Sequence, residues 1–349
     1  MEIQLPEEYL RVVKATSPRP PTWDGFVGNE AAVSILRESI QSAKIQGKFL
    51  DHILLFGPPG MGKTTMARIA AAEMGGAFIE CTAQVFETQA DLFHVLLEIN
   101  EAYERDRAFP VLFIDEIHCL TGSAGRASVD VESFYPLLED FAFPHNLAGR
   151  ALPLRGQPGM TITPLTSTFR VWPFCCVGAT TAPGDLGPAL LRRFKVHIEM
   201  APYSEADIAA IMRGSADRLG WPLAADAAAE LARFSRCNPG RADQLLSQAR
   251  NRAVTAGDGS ITVSRVTEIV RRLQLYPLGL GSTDVKILKM LASRPRGMGQ
   301  AELARASGIS QSQYLGMVEP FLTLAGFVQV LSRRMITDEG RAYLAKIAA

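Results

Sequence analysis

The sequence predicts an α/β domain built on a parallel sheet flanked by helices, then a small helical domain, then a helix-turn-helix domain with a β-wing. The first prediction rests on a short apolar run, Ile53–Phe56, which leads into a glycine-rich loop and then a helix over 64–74. The second rests on four Leu- and Ala-rich stretches with helical spacing, 204–219, 225–236, 241–256 and 262–273. The third rests on two short strand patterns within 327–337.

These patterns divide the 349 residues into three expected domains. Residues 1–201 form the α/β domain with an N-terminal arm and a β-hairpin insertion at about 142–173. Residues 202–274 form the helical domain. Residues 275–349 form the winged-helix domain.

The glycine-rich loop reads Gly-Pro-Pro-Gly-Met-Gly-Lys-Thr-Thr and matches the phosphate-binding pattern GxxxxGK[ST]. Its candidate nucleotide contacts are Gly57, Pro58, Pro59, Gly60, Met61, Gly62, Lys63, Thr64 and Thr65. Backbone N–H groups of such a loop and the N-terminus of the next helix hold polyphosphate. Lys63 supplies a charge for the β- and γ-phosphates, and the Thr64 hydroxyl is the expected Mg²⁺ ligand. An ordinary glycine-rich turn is the alternative, which the flanking strand and helix disfavour.

Paired carboxylates, Asp115 and Glu116, follow a second apolar run, Val111–Ile114. We expect Asp115 to hold the Mg²⁺ and Glu116 to polarise the water that attacks the γ-phosphate. The two acids could instead cap a helix, which the upstream loop makes less attractive. For His118 a structural and a chemical role stay equally open. Together the two motifs predict ATP and Mg²⁺ as cofactors.

The overall composition limits the possible partners. The chain carries 36 basic and 36 acidic residues, so affinity for nucleic acid must come from a local patch. No apolar run approaches the roughly 20 residues that span a bilayer, and the N-terminus lacks a signal-peptide pattern. We therefore expect a cytoplasmic protein that makes no membrane contact. The five cysteines show no CxxC spacing, which disfavours a metal site or a disulfide framework.

The C-terminal domain offers such a local patch. Residues 275–349 contain nine Lys and Arg against five Asp and Glu. The predicted wing strands, Phe327–Leu331 and Met335–Thr337, bracket Arg333 and Arg334, which we expect to contact DNA phosphates. Winged helices also bind proteins, so the fold alone does not decide the partner.

The insertion at 142–173 has the pattern of a β-hairpin. Leu152 and Leu154 alternate before a Gly/Pro turn, and Met160 and Ile162 alternate after it. These four side chains are predicted to dock a partner protein, because a long insert with apolar residues near its tip is typical of a contact site. Alternatively, the apolar side of the hairpin folds back on its own core.

The order of these motifs resembles the AAA+ ATPases. In that family, the segment before the phosphate-binding loop lies against the adenine, which implies Phe26 and Val27 as base contacts here. The polar residue after the next core strand, called sensor 1, is Thr180, with Thr181 the second choice.

The same resemblance assigns two arginines. The arginine finger, which reaches a neighbouring subunit's nucleotide in an AAA+ ring, falls on Arg193, with Arg192 in reserve. A solvated basic helix end would otherwise be the default for this pair. Sensor 2, an arginine that reaches the phosphates from the helical lid, falls on Arg241, although Gly240 occupies the expected position.

More narrowly, the chain resembles the RuvB family of branch-migration motors over nearly its whole length. The matching segments are Asp51-His52, Ile114–His118, Glu139–Phe141, Val177–Thr181, Glu319–Leu322 and Gly326-Phe327. The chain departs from the family pattern at Ala182 and Leu191 as well as at Gly240.

The resemblance implies a DNA-dependent ATPase that assembles as a ring, expected to be a hexamer, and drives branch migration of Holliday junctions in recombination and repair. It also implies that the 142–173 hairpin docks a RuvA-like junction-binding protein. The alternative is an AAA+ protein-remodelling or clamp-loader-like switch on a protein–DNA assembly. Nucleotide binding without turnover is disfavoured by Glu116, which a mere binder would not need.

Overall fold

The structure is a computed structural model that describes residue 19 and residues 22–121, 131–153 and 160–348. Its contacts separate two compact units. Among the described residues, the first unit contains 22–57 and most of 62–201, and the second contains Arg19, Pro58–Met61 and 202–348. The three-domain boundaries predicted above stay a prediction.

The first unit alternates strands and helices around one sheet. In chain order its elements are α1 (Glu30–Gln46), β1 (Ile53–Phe56), α2 (Lys63–Met74), β2 (Phe78–Thr82), α3 (Gln89–Asp106), β3 (Val111–Asp115), α4 (Val131–Asp140), β4 (Ala142–Pro144), β5 (Leu152–Pro153), β6 (Thr161–Ile162), β7 (Thr168–Arg170), β8 (Cys175–Thr180), α5 (Pro188–Leu191) and β9 (Val196–Glu199).

Five strands form the central sheet in the order β2-β3-β8-β1-β9, and every neighbouring pair is parallel. Strands β1, β3 and β8 are almost completely buried, which explains their continuous apolar sequences. Because the three strands are neighbours, the residues that follow them emerge at the same edge of the sheet. The predicted parallel sheet flanked by helices is confirmed.

A buried histidine next to the amino end of β1 links strand β8 to helix α4. His52 accepts a hydrogen bond from the N–H of Cys176 at Nδ1 (2.9 Å), and its Nε2 lies 2.9 Å from the carbonyl oxygen of Leu138. The first contact places the ring proton on Nε2, which therefore donates to Leu138. Phe141 and Phe174 pack around the same ring. Desolvation in this cluster lowers the pKa of His52.

The strands of the insertion at 142–173 pair in antiparallel fashion, as the β-hairpin pattern predicts. Strand β4 pairs with β7, and β5 pairs with β6 so that Leu152 faces Ile162. Leu152 is buried in the main core and Ile162 packs against that core. The expectation that both side chains face a partner is therefore wrong, because they pack onto the core of the first unit.

The other two members of the predicted docking set have different outcomes. Met160 is 56% exposed, while Leu154 lies outside the described residues. Leu165, between β6 and β7, is 92% exposed and was not part of the prediction. Apolar side chains therefore reach solvent on this hairpin at Met160, which the alternation indicated, and at Leu165, which it did not.

The second unit begins with four helices and ends with a winged helix. Its elements are α6 (Glu205–Leu219), α7 (Ala225–Arg233), α8 (Pro239–Thr255), α9 (Val263–Arg272), α10 (Ser282–Ala292), α11 (Gln300–Ser307), α12 (Gln311–Gln313), a π-helical turn (Tyr314–Val318), α13 (Glu319–Leu324), β10 (Val328–Val330), β11 (Arg334–Ile336) and α14 (Asp338–Ala348).

Helix α7 ends earlier than the apolar pattern predicts. Arg236 and Cys237 both adopt the left-handed conformation, with φ of 57° and 54°, so the helix cannot continue to residue 236. The guanidinium of Arg236 pairs with the buried carboxylate of Asp284 and donates to the carbonyl of Gly279 at 2.9 Å. This bend thus anchors the start of helix α10 on the lid helices.

The antiparallel pair β10–β11 forms the wing of the last domain. Arg334 is the first residue of β11 rather than part of the turn. None of the helices within the described ranges combines the length and apolar character needed to cross a membrane.

Candidate active site

The phosphate-binding loop has the backbone shape that its glycines predict. Gly57 and Gly62, at φ of 142° and 92°, take conformations that other residues rarely adopt. Helix α2 begins at Lys63, whose ammonium donates to the Gly57 carbonyl at 2.8 Å. Burial is the main cause that lowers the pKa of Lys63. The charge is therefore held inside the curve of the loop, where phosphate oxygens are expected.

The other loop residues differ in exposure. Thr64 and Thr65 are half-buried at the start of α2, Pro58 to Gly60 are exposed, and Met61 is buried. Upstream, Phe26 and Val27 are half-buried, with the Phe26 ring 6.0 Å from the ring of buried Trp23.

Asp115 ends strand β3, and Glu116 follows in a left-handed conformation with φ of 49°. One carboxylate oxygen of Asp115 accepts the N–H of Glu116 at 3.0 Å. Desolvation is the main cause that raises the pKa of Asp115. The unusual backbone at Glu116 turns the chain sharply, so that two consecutive acids occupy different surroundings. Such strain in a residue other than glycine is typical of functional sites.

The carboxylate of Glu116 is held from the neighbouring strand. Thr181, directly after β8, donates to it from its hydroxyl at 3.1 Å and from its N–H at 3.3 Å. The Nδ1 atom of His118 lies 3.2 Å from the same Oε2 oxygen. The network thus joins the ends of β3 and β8.

Thr180 and Thr181 have separate contacts, which the sequence could not distinguish. The fully buried Thr180 places its hydroxyl 2.9 Å from Nδ1 of His118 and accepts the N–H of Ala182 at 3.0 Å. His118, whose role the sequence left open, therefore lies between Thr180 and Glu116. In the sequence, this link between Glu116 and Thr180 is signalled only by the position of His118, two residues after the acidic pair.

Arg193 is folded onto its own subunit. Its guanidinium stacks 4.1 Å over the ring of Tyr135, forms a 3.1 Å ion pair with Glu139, and donates to the carbonyl of Ala189. The side chain is only 14% exposed, whereas Arg192 is exposed. In this conformation Arg193 must leave these contacts before it can reach another subunit.

Arg241, the predicted sensor 2, makes its described side-chain contacts within the second unit. Its guanidinium donates to the carbonyls of Phe234 (3.3 Å) and Gly279 (2.9 Å) inside the second unit. Burial, followed by the nearby charge of Arg236, lowers its pKa to about 10. The placement of Arg241 follows from helical geometry, since successive side chains diverge by about 100° around the axis. Gly240 therefore faces the loop tip and Arg241 does not.

The two wing arginines also differ. Arg334 forms a two-pronged ion pair with Glu319, at 2.6 and 3.1 Å, and donates to the side chain of Gln300 at 2.8 Å. Its side chain is 12% exposed, which does not favour its predicted contact with DNA. The side chain of Arg333 is 51% exposed and lies 3.6 Å from the carboxylate of Glu302. Of the two, Arg333 is therefore the more accessible candidate for the predicted phosphate contact.

Comparison with known proteins covers all three domains. The chain matches the P-loop domain of the Holliday junction DNA helicase RuvB over residues 18–200, the RuvB AAA lid domain over 203–275, and the RuvB C-terminal winged-helix domain over 277–345. These matches confirm the predicted fold class.

Individual relatives agree over most of their length. The chain is 32% identical to the Holliday junction branch migration complex subunit RuvB of Nitratiruptor sp., across 92% of this chain and 90% of that one. It is 35% identical to the protein of the same name from Paramagnetospirillum magneticum, across 93% and 87%. The solved structure of the Thermotoga maritima RuvB Holliday junction branch migration motor superposes with a TM-score of 0.76 at 29% identity, across 94% and 98%. This chain therefore belongs to the RuvB family.

Proposed function

We propose that this chain is an ATP-hydrolysing motor that drives branch migration of Holliday junctions in recombination and repair. Membership of the RuvB P-loop family implies nucleotide binding and ATP hydrolysis. One observation carries the proposal for this chain: the phosphate-binding loop, the Asp115-Glu116 pair and Thr181 follow three neighbouring strands of one parallel sheet. Family membership supports DNA as the substrate of the motor.

The nucleotide is proposed to be ATP, with its phosphates on the loop from Gly57 to Thr65. Lys63 neutralises the β- and γ-phosphates, and Phe26 and Val27 contact the adenine. The half-buried position of both residues leaves apolar surface for a base.

The residues present fit a Mg²⁺ ion. Mg²⁺ bound to phosphates needs only one or two protein ligands, and Thr64 and Asp115 supply a hydroxyl and a carboxylate. The desolvated Asp115 carboxylate would gain from a cation beside it. Within the described ranges no group of three or more His, Cys, Asp or Glu residues forms a metal site, which agrees with a metal held mainly by the nucleotide. When bound, Mg²⁺ neutralises charge that develops on the phosphates.

Glu116 is proposed to orient and polarise the attacking water. Its carboxylate is fixed by the hydroxyl and the N–H of Thr181, and His118 links it to Thr180. A carboxylate held by neighbours on two strands responds to any movement of either strand. Thr180 and Thr181 thus act as positioning residues, as expected for sensor 1.

The active motor is proposed to be a ring, expected to be a hexamer, in which Arg193 of one subunit reaches the nucleotide of the next. To reach a neighbouring subunit, Arg193 must break its ion pair with Glu139, in which Glu139 is 57% and Arg193 14% exposed. An arginine finger contributes ~10³-fold or more to turnover.

The winged-helix domain is proposed to contact DNA phosphates through Arg333, while the 142–173 hairpin docks a RuvA-like junction-binding protein. The exposed apolar side chains of Met160 and Leu165 support the second proposal.

One experiment tests the motor: ATP hydrolysis is measured with no DNA, with duplex DNA and with a four-way junction, and the same samples are imaged by electron microscopy. We expect rings and faster hydrolysis with DNA, and dissociation of a mobile junction that requires ATP. Hydrolysis that no DNA stimulates but a protein partner does would contradict the proposal and favour a protein-remodelling switch.

A further inference from the structure

Three successive carbonyl groups at the tip of the phosphate-binding loop accept hydrogen bonds from the lid side of the second unit. Asn238 Nδ2 donates to Pro59 at 2.7 Å, the N–H of Gly240 donates to Gly60 at 2.9 Å, and the Tyr203 hydroxyl donates to Met61 at 3.1 Å. The loop tip and the three donors belong to the same compact unit.

Glycines on both sides allow this close approach. A Cβ atom on Gly240 would lie 2.9 Å from the Cα of Gly60, and one on Gly60 would lie 2.5 Å from the side-chain oxygen of Asn238. Gly60 also has φ of 79°, which disfavours any other residue. The backbone at Gly240 therefore packs directly against the backbone at Gly60, and no arginine side chain takes part in this contact.

Asn238 and Tyr203 are each fixed in place. The Asn238 side-chain oxygen accepts the N–H of Arg241 at 3.0 Å and so caps helix α8, while its amide nitrogen faces Pro59. The ring of Tyr203 is buried, with 4% exposure. Both side chains are therefore already fixed in the orientation in which they donate to the loop carbonyls.

The consequence follows from the geometry of the peptide group. In a planar trans peptide the C=O of one residue and the N–H of the next point in opposite directions. Holding the carbonyls of residues 59, 60 and 61 therefore sets the directions of the N–H groups of residues 60, 61 and 62. Such consecutive N–H groups are the donors that a phosphate-binding nest offers to its anion.

We propose that Tyr203, Asn238 and Gly240 form a carbonyl clamp that positions the loop N–H groups for the phosphates of the nucleotide. The clamp couples the lid to the phosphates through the loop carbonyls, whereas the guanidinium of Arg241 donates to the carbonyls of Phe234 and Gly279. Preorganisation lowers the ordering cost of binding, so loss of a clamp contact weakens nucleotide affinity more than it slows the chemical step. This inference rests on the proposed function, since it takes ATP as the ligand.

Two substitutions each remove one of the clamp donors. Tyr203→Phe keeps the buried ring and deletes only the hydroxyl, while Asn238→Ser deletes the donor to Pro59 and keeps a hydroxyl that can cap helix α8. Titration with fluorescent ATP and ADP analogues should show affinity about fivefold weaker for each variant, the effect of one neutral hydrogen bond. The maximal rate of hydrolysis at saturating ATP should change less than twofold.

Ser204→Ala is the matched control. Ser204 caps helix α6 by exchanging hydrogen bonds with Asp207, so its loss lowers lid stability without removing a clamp contact. The variant should melt at a lower temperature and bind nucleotide like the wild type. Equal weakening of binding by Ser204→Ala and Tyr203→Phe, or unchanged binding by both clamp variants, would overturn the inference.

A further control separates this inference from the proposed function. Lys63→Ala should bind far more weakly than any clamp variant. If the wild type binds nucleotide no better than Lys63→Ala, the loop is not the nucleotide site, and the proposed function and the clamp both fail. Normal binding by the clamp variants beside a defective Lys63→Ala overturns the clamp alone.

Discussion

The hydroxyl of Thr181 donates a 3.1 Å hydrogen bond to the carboxylate of Glu116, which joins the residues that follow two neighbouring strands. The charge of Lys63 is held separately, inside the loop after β1. Charge clamping and water activation therefore belong to different side chains and should be separable by mutation.

Lys63→Ala should abolish ATP binding, while Glu116→Gln should bind ATP normally and hydrolyse it at least ~100-fold more slowly. The glutamine amide oxygen can still accept from Thr181, so the site keeps its shape and loses only the charge. Equilibrium binding and steady-state hydrolysis, measured on the same preparations, check both expectations. Turnover at the wild-type rate by Glu116→Gln would remove Glu116 from the proposed role.

The proposed role of Arg193 predicts that the active site is shared between neighbouring subunits. A ring made only of Arg193→Ala chains should hydrolyse ATP ~10³-fold more slowly than the wild type. Mixed with Lys63→Ala chains, it should recover activity, because some interfaces then combine an intact loop with an intact finger. Arg192→Ala is the control, and it should retain most of the activity. Mixtures that never exceed the sum of the two separate variants would argue against a finger acting between subunits.

The wing arginines predict opposite outcomes for neighbouring substitutions. Arg333→Ala should weaken binding to all DNA sequences and reduce the slope of log affinity against log salt by about 0.9, the value for one phosphate contact. Arg334→Ala leaves Glu319 unpaired and should lower the stability of the winged helix by about 3 kcal/mol. Salt-dependent DNA titrations and thermal melts of both variants separate the two roles. Equal salt slopes for Arg333→Ala and the wild type would point to a protein-binding wing.

Local sequence patterns predicted the parts of the site that depend on backbone turns and strand ends. The loop from Gly57 to Thr65 could be recognised because its glycines, its lysine and its flanking elements are contiguous in sequence. The acids after β3 could be recognised for the same reason. Their meeting at one sheet edge follows from the parallel strand order, which hydrophobic runs separated by helices already suggest.

The predictions that the structure does not favour concern side chains whose partners are distant in sequence. Arg334 pairs with Glu319 and Gln300, and no local pattern links these residues to the wing. Leu152 alternates like a solvent-facing strand residue, yet tertiary packing buries it. The clamp donors Tyr203 and Asn238 were missed because the loop carbonyls that they bind lie more than 140 residues earlier in the chain. A polar residue just before a helix, as at Asn238, signals only a cap.

The exposed side chains of the hairpin indicate Met160, from the predicted docking set, together with Leu165 as the docking pair. Met160→Ser combined with Leu165→Ser should leave thermal stability and basal ATP hydrolysis unchanged, because both side chains are exposed. The double variant should lose loading onto junctions by a RuvA-like protein, measured as partner-dependent stimulation of junction unwinding. Leu152→Ser, the control, should instead lower stability by about 2 kcal/mol or more, since it opens a cavity in the core. Normal partner-dependent stimulation by the double variant would contradict docking through these side chains.

The buried His52 predicts how stability depends on pH. Its Nδ1 accepts a hydrogen bond from Cys176, and burial lowers its pKa below the ordinary value of 6.5. In the unfolded chain the ring takes up a proton as the pH falls through about 6.5, whereas in the folded chain it stays neutral to lower pH. The stability contributed by neutral His52 is therefore fully present above pH 6.5 and is lost as the pH falls towards the folded-state pKa, by up to about 1.4 kcal/mol per pH unit.

Thermal melts from pH 8 to pH 5 test this expectation against His52→Gln, which cannot titrate. His52→Gln should melt well below the wild type at pH 8, because two buried hydrogen bonds are disturbed, and the difference should shrink steadily below pH 6.5. His145, whose pKa is also lowered by burial, titrates in both proteins, so its contribution cancels in the comparison. A difference in melting temperature that stays constant from pH 8 to pH 5 would show that His52 has the same pKa in the folded and unfolded chains.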